Sequence, residues 1–439
     1  MVAESAFYAI IKDTNTTMEK ILRTTEKFIP KKIYRWGQPI YHYSLALLSA
    51  CMYRFPSRKI KIIGVTGTKG KSSTVEIINA ILEDAGYKTA LSNTIRFKVD
   101  KESTNNKYKM SMPGRFFVQH FLRRAVKAGC DYAIVEMTSQ SVLQYRHTFI
   151  YPDAFVVTNV SPEHIESHGS YEKYVDAKVE LIRGLRRSHK KNKVLVVNAD
   201  DKEAQKFIDA AGKHVEKKTY AVKDVAPHEI KKEGISFTFR GAAISSPLSG
   251  LFNLYNILAA AMLAESQGVD IAVIKRAIEK FSGIRGRVEK INEGQDFTVV
   301  VDYAHTVDSL QKVYEVFQSS RKICVLGGTG GGRDKWKRKE MGKVADQNCD
   351  YIVLTNEDPY DESPMQIIND VAEGITKDKP TIILDRRAAI ADAFAHAKTG
   401  DTVLITGKGT DPYIMGLQGN NIPWSDAEVA REELKKLKR

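Results

Sequence analysis

The sequence predicts an α/β fold in which mostly parallel sheet is covered by helices, and three observations carry that prediction. Short apolar runs of strand length recur along the chain, with helical patterns between most of them. Strand after strand ends in a polar or glycine-rich turn, the pattern of open sheets whose ligands bind beyond the carboxyl ends of the strands. At 439 residues the chain exceeds what one hydrophobic core usually supports, so two or three domains are expected.

Residues 1–56 form a short, basic piece without a strand pattern. Inside it, Pro39 to Tyr53 is apolar and free of charged residues, yet shorter than the roughly 20 residues a membrane-spanning helix needs. It reads as a core-facing helix. Its basic flanks (Lys31, Lys32, Arg35; Arg54, Arg58, Lys59) add a second expectation, peripheral membrane contact through residues 31–61. Ile60, Ile62, Ile63 and Val65 predict a buried strand, and Val75, Ile78, Leu82 and Ala85 a helix that stops before Gly86. Strands follow at Tyr132–Val135, Ala154–Val157 and Val194–Val197. A break rich in Gly and Arg at Ser282–Gly286 precedes a second series: Phe297–Val301, Ile323–Leu326, Tyr351–Leu354, Thr381–Leu384 and Thr402–Ile405. No internal repeat or low-complexity segment interrupts the chain.

Between the first strand and its helix lies Thr66-Gly67-Thr68-Lys69-Gly70-Lys71-Ser72-Ser73. In such a turn, backbone N–H groups and the helix N-terminus face a phosphate, Lys71 reaches its outer oxygens, and Ser72 offers a hydroxyl to Mg²⁺. This is the pattern of a nucleoside triphosphate site, with Lys71 expected as an exposed loop residue. Val65 stands where the standard P-loop has its first glycine. Glu136 closes one strand and His164 follows another, so both point from the same sheet edge; with Ser72 they make a candidate Mg²⁺ site of mostly hard ligands. Alternatively, His164 is a surface loop histidine with an ordinary hydrogen bond.

A formal net charge of +14 favours acidic ligands. Basic runs such as Arg186–Lys191 and Lys435–Arg439 lack interleaved aromatics and read as solvated faces, so nucleic acid is not an expected partner. The four cysteines (Cys51, Cys130, Cys324, Cys349) are scattered and contain no C-x-x-C pair, so neither a zinc ribbon nor a disulfide framework is expected. Met1 opens no signal peptide. These features fit a reducing cytoplasm.

The stretch TNVSPEHIESHGSYEKYVDAKVELI (158–182) resembles the Mur ligase family, ATP-dependent amide-forming ligases of bacterial cell-wall precursor synthesis. The family's variant P-loop, T-G-T-N-G-K-[ST], matches residues 66–72 apart from Lys69, and accounts for the missing glycine at 65. The similarity runs from about residue 60 to 430 and is greatest to the tripeptide-synthetase branch. That branch's E-V-S-S-H-x-L-x-Q-H-R resembles EMTSQSVLQYR (136–146), its G-R-M-E resembles GRVE (286–289), its D-Y-A-H-T-P-D resembles DYAHTVD (302–308), and its G-K-G-H-E resembles GKGTD (407–411). The resemblance implies a central P-loop ATPase domain (57–284) and a carboxy-terminal Rossmann-like domain (285–439), with ATP and Mg²⁺ as cofactors. It also implies a monomer acting on small molecules: ATP, a muramoyl-peptide precursor and an amino acid. The reaction implied transfers the γ-phosphoryl of ATP to a carboxylate, and an amine then attacks the acyl phosphate. Lys71 and Arg287 would serve the phosphates, Asn256 the adenine, Asp302 the ribose and His305 the nucleotide. Lys178 falls at the carbamylated position, where a CO₂ adduct supplies an anion beside the metal; a lysine paired along its helix with Asp176 or Glu180 is the simpler alternative. Thr138, Ser139 and Arg146 would meet the muramoyl peptide.

Three departures bear on recognition. About 56 residues precede the P-loop where the family has a uridine-diphosphate domain of about a hundred. The T-T-P that touches the acid substrate is Ser111-Met112-Pro113, and the His of S-S-H is Gln140. The D-N-P-R acceptor motif is Glu357-Asp358-Pro359-Tyr360, without its arginine, whose vacant place Arg333 or Lys335 could fill. Glu357, Asp358 and Asp411 then favour an amino acid ending in an ammonium group, L-lysine or L-ornithine over meso-diaminopimelate; alternatively the two acids at 357–358 cap the helix opened by Pro364. A related ligase acting on another acid (folylpolyglutamate- or cyanophycin-type) and a non-catalytic nucleotide-binding scaffold are the competing readings.

Overall fold

In the first strand, β1 (Lys61–Thr66), every residue after Lys61 is buried, as a strand must be when helices cover both faces of its sheet. The computed structural model describes residues 31–163, 168–332 and 335–437, with side chains from residue 37 onward. Around β1 gather β2 (Thr89–Ser92), β3 (Arg96–Val99), β4 (Glu102–Asn105), β5 (Tyr132–Glu136), β6 (Ala154–Val157), β7 (Val194–Asn198) and β8 (Glu216–Tyr220). They form one eight-stranded sheet in the order β4-β3-β2-β5-β1-β6-β7-β8. Strand β3 pairs antiparallel with both β2 and β4 at one edge, and the remaining pairings are parallel. In the parallel part Val65 lies level with both Glu136 and Val156, so the carboxyl ends of β1, β5 and β6 meet at one edge.

Helices α1 (Lys31–Met52), α2 (Lys71–Asp84), α3 (Arg115–Lys127), α4 (Ser139–Leu143), α5 (Tyr171–Arg187) and α6 (Ala204–Ala211) follow in chain order, then α7 (Leu251–Ser266) and α8 (Ile271–Lys280). Two cores sandwich the sheet: α2, α7 and α8 with Ile63 and Ile134 on one face, and α3, α5 and α6 with Ile62 and Val135 on the other. Helix α7 is apolar on almost every side because it packs against α2, α8 and strands β6–β8 of the large sheet. A small antiparallel sheet of β9 (Glu229–Ile230), β10 (Ile235–Phe239) and β11 (Ala242–Ser246) joins the same core.

After the break at 282–286 comes a second sheet, built from β12 (Glu289–Ile291), β13 (Thr298–Asp302), β14 (Lys322–Leu326), β15 (Tyr351–Leu354), β16 (Thr381–Ile382) and β17 (Thr402–Thr406). Its order is β12-β13-β17-β14-β15-β16, parallel except for β12. Helices α9 (Val307–Val316), α10 (Trp336–Asn348), α11 (Pro364–Ala372), α12 (Arg386–Ala395) and α13 (Asp426–Leu437) cover its faces over separate cores. Helix α11 does open at Pro364, and its cap is Ser363, whose hydroxyl accepts from the Gln366 N–H; Glu357 and Asp358 do not cap it.

Two expectations need correction. The uncharged stretch from Pro39 to Tyr53 is not a core helix: α1 buries Ala46, Ser49 and Ala50 and leaves Ile40, Tyr43, Leu47, Leu48 and Met52 exposed. And Cys324 and Cys349 form a disulfide, with Cα atoms 6.1 Å apart, because one lies on β14 and the other just before the neighbouring β15. Their separation of 25 residues gave no local sign of that pairing. Among the described residues no helix is long and apolar enough to cross a membrane.

Candidate active site

The turn from β1 into α2 is shaped by two glycines. Gly67 (φ +146°) and Gly70 (φ +80°) adopt conformations that side chains avoid, and a Cβ would strike the Thr158 hydroxyl at the first and the Asn256 amide oxygen at the second. The chain beyond β6 straps the turn from outside: the Thr158 hydroxyl and the Asn159 amide donate to Lys69 O at 2.7 and 3.0 Å, and Asn159 Oδ1 accepts from Lys69 N at 2.9 Å. Thr66, Thr68 and Ser73 are buried in this frame, Thr68 Oγ1 lying 2.9 Å from the Tyr174 hydroxyl. No side chain caps α2 at Gly70 and no acid sits in its first turn, so the positive end of the helix faces the cleft.

Lys71 is not the exposed loop residue expected. It is the first residue of α2, half-buried, and its Nζ donates to Thr68 O at 2.8 Å. Burial pulls its pKa below that of an ordinary lysine, against the opposing pull of Glu136 and Glu163. Next to it the Ser72 hydroxyl donates to Glu136 Oε2 at 2.7 Å, and Thr94 supplies the Glu136 carboxylate with an N–H and a hydroxyl at 3.1 and 3.0 Å. His164 lies outside the described residues. The histidine seen nearby is His168, buried, whose Nε2 is 3.1 Å from Ser139 Oγ.

Lys178 on α5 is fully enclosed. Its Nζ donates to Gly67 O at 2.7 Å and lies 4.5 Å from the centre of the Tyr174 ring. Burial first, then the neighbouring charge of Lys71, push its pKa well below the usual lysine range. The alternative pairing along α5 does not form, because Glu180 binds Arg183 and Arg187. From these lysines a cleft of about 330 Å³ extends past Thr138, Ser139, Ser111 and Arg146. Ser111 Oγ is buried there without a hydrogen-bond partner, and Arg146 donates to Met112 O at 2.6 Å.

Further candidate residues come from the second half of the chain. Arg287 stacks 4.3 Å over the Tyr303 ring and donates to Gly286 O, close enough to Lys71 to depress its pKa. Asp302 is buried and accepts from the N–H groups of Val288 and Ala304, each at 2.7 Å; burial raises its pKa against those bonds. His305 Nδ1 is 2.8 Å from Tyr303 O. Asn256, beneath Gly70, accepts from the Thr74 hydroxyl at 3.4 Å and donates to Asn253 Oδ1 at 3.2 Å. Asp358 and Asp411 come together as the sequence implied, but they are not left as bare negative charge. Lys109, from the first half of the chain, lies 2.9 Å from each, and the buried Lys408 lies 2.7 Å from Asp358 and 3.5 Å from Asp411. Those cations hold the Asp358 carboxyl below the usual carboxylate range in spite of its burial. Glu357 is also buried, with its pKa raised by desolvation and Oε2 unbonded. Arg333 lies outside the described residues, and Lys335 pairs at 3.6 Å with Glu362.

With this geometry in view, comparison with known proteins is decisive. The model of the Mur ligase middle domain matches residues 65–264, and that of the Mur ligase glutamate ligase domain matches residues 286–409. UDP-N-acetylmuramyl-tripeptide synthetase of Roseiflexus sp. (strain RS-1) is 37% identical over 426 residues, covering 91% of this chain and 83% of that protein. The chain belongs to the Mur ligase family. Mur ligases are ATP-dependent, ADP-forming ligases, and this chain is one. It is also similar to the UDP-N-acetylmuramoyl-L-alanyl-D-glutamate–2,6-diaminopimelate ligase of Bacillus licheniformis, at 37% identity over 408 residues, 90% of this chain and 83% of that one. A solved structure of a ligase with that same name superposes with a TM-score of 0.61 at 28% identity, covering 87% of this chain and 79% of the other.

Sequence reasoning missed several residues of the Mur ligase cleft. Lys408 was within reach, inside the GKGTD segment. Glu163, which pairs with Lys69 at 2.7 Å, and Tyr174 sat within the recognised stretch without a motif position to mark them. Lys109 carried no signal, since Asp358 is 249 residues away. Among the described residues no three His, Cys, Asp or Glu side chains gather as a metal site; the oxygen donors at the P-loop are Ser72 and Glu136.

Proposed function

We propose that the protein adds a diamino acid to the carboxylate of a muramoyl-peptide precursor in peptidoglycan synthesis, through an acyl phosphate. The observation that carries this reading is the pair of lysines on P-loop carbonyls, half-buried Lys71 on Thr68 and buried Lys178 on Gly67, at the head of a cleft that runs to Ser111 and Arg146. Phosphoryl transfer needs fixed positive charge where the γ-phosphate meets the carboxylate, and Lys71 with Arg287 supplies it. Only an unprotonated amine combines with CO₂, so the depressed pKa of Lys178 suits it to carry a carbamate at neutral pH. Hard oxygens at Ser72 and Glu136 fit Mg²⁺, with His164 and the Lys178 adduct as further ligands; the ion would neutralise phosphate charge. Asp302 and His305 are assigned to the nucleotide, Asn256 to the adenine side, and Thr138, Ser139, Ser111 and Arg146 to the acid substrate.

For the amino acid, the Asp358–Asp411 pair already receives two primary ammonium groups, those of Lys109 and the buried Lys408, and a substrate ammonium would take the place of the more exposed Lys109. With Tyr360 in place of the arginine, L-lysine or L-ornithine is favoured over meso-diaminopimelate. The reading takes residues 57–284 and 285–439 as domains, residues 1–56 as a separate segment, and the protein as a cytoplasmic monomer. Amino-acid-dependent phosphate release from ATP with UDP-muramoyl-dipeptide tests it, run with the three amino acids in competition. Lysine or ornithine incorporation is expected. No release with any of them refutes the function, and preferential incorporation of meso-diaminopimelate refutes the specificity alone.

A further inference from the structure

Helix α1 presents a face without charge. Between residues 38 and 52 every exposed position is uncharged, and Ile40, Tyr43, the adjacent Leu47 and Leu48, and Met52 follow one another three or four residues apart. Ile40, Leu48 and Met52 are 56%, 54% and 52% exposed. The opposite face, Ala46, Ser49 and Ala50, is small and buried beside α3, so the helix is seated firmly while its large apolar residues point outward. In a chain with 27% charged residues such a face calls for a partner.

Charge identifies the partner. No Asp or Glu occurs from Lys27 to Val75, while Lys31, Lys32 and Arg35 open the helix and the exposed Arg54, Arg58 and Lys59 follow its end. Two copies meeting face to face would bring these like charges together, whereas an anionic bilayer accepts both the stripe and the cations. We propose that α1 lies in the interfacial plane of an anionic lipid bilayer, its stripe at the acyl boundary and Arg54, Arg58 and Lys59 among the headgroups. The helix also adjoins the substrate end of the cleft: Tyr43 packs against Tyr145 and Phe149, and His42 contacts Arg115, which adjoins Arg146. Docking therefore holds the cleft mouth near the lipid surface. This surface stands apart from the ligase reading, and either can fail without the other.

The test is co-sedimentation of the full chain with vesicles of phosphatidylcholine alone or mixed with phosphatidylglycerol. Binding is expected to the mixed vesicles and to weaken with salt. The doubly substituted Leu47→Asp, Leu48→Asp protein should lose at least about tenfold in affinity, and Arg54→Glu with Lys59→Glu should lose a similar factor; exposed as they are, these changes should leave thermal unfolding unaltered. Failure of the wild type to bind anionic vesicles overturns the proposal, as does binding that the leucine double variant retains. Sedimentation velocity adds a third outcome: a dimer that the same leucine changes abolish assigns the stripe to a second copy and overturns the lipid assignment.

Discussion

The two ends of the cleft are built by different rules. At the nucleotide end, side chains hold backbone: Thr158 and Asn159 fasten Lys69, while Lys71 and Lys178 donate to carbonyls of the turn they serve. At the acceptor end, side chains hold one another, with Lys109, Asp358, Lys408 and Asp411 drawn from three separate parts of the chain. A backbone cradle demands a fixed loop conformation, and hence glycines at set places. A charge cluster demands only that its charges balance, so its members can come from anywhere in the chain.

The comparison predicts that damage at the nucleotide end is catalytic and damage at the acceptor end is selective. The largest effect belongs to Lys71→Ala, which should lower kcat by at least about 10³-fold without lowering the melting temperature; turnover near that of the wild type would break the account of this end. Lys178→Ala should be almost as damaging and partly rescued by small carboxylates. Labelled bicarbonate should give the wild type an adduct signal in ¹³C NMR that this variant lacks, and a signal persisting in Lys178→Ala would place the adduct elsewhere.

Smaller effects sharpen the other side. Asp358→Asn with Asp411→Asn should reduce the preference for lysine over meso-diaminopimelate by about 10–100-fold, the range expected for loss of a charge-assisted recognition contact. A lysine preference that survives both changes would show that the cluster is structural. Smallest is Lys109→Met. Because Lys109 competes for the same two carboxylates, its removal should lower KM for the diamino acid by about 3–10-fold with kcat unchanged. A fall in kcat would instead make Lys109 part of the reacting complex.

What could be read from the sequence follows the same division. Strand β1, the glycine turn and the strands ending at Glu136 and Val157 were legible because burial on both faces and a constrained turn leave few residue choices. Strand β4 was not, because all four of its residues are exposed on an edge and only pairing with β3 makes them a strand. The outward face of α1 was misread for a related reason: a stretch without charge says that something apolar covers it, not that this chain does. The Cys324–Cys349 pairing and the Lys109 ion pairs depend on which distant segments become neighbours, which no local pattern records.

The central claim is that this cleft activates a carboxylate by taking phosphate from ATP, and isotope tracing tests it most directly. With both carboxylate oxygens of the acid substrate replaced by ¹⁸O, and the amine and ATP supplied, the account predicts that the inorganic phosphate released carries one ¹⁸O per amide bond formed. Release of phosphate without label, or appearance of the label in AMP, would contradict it.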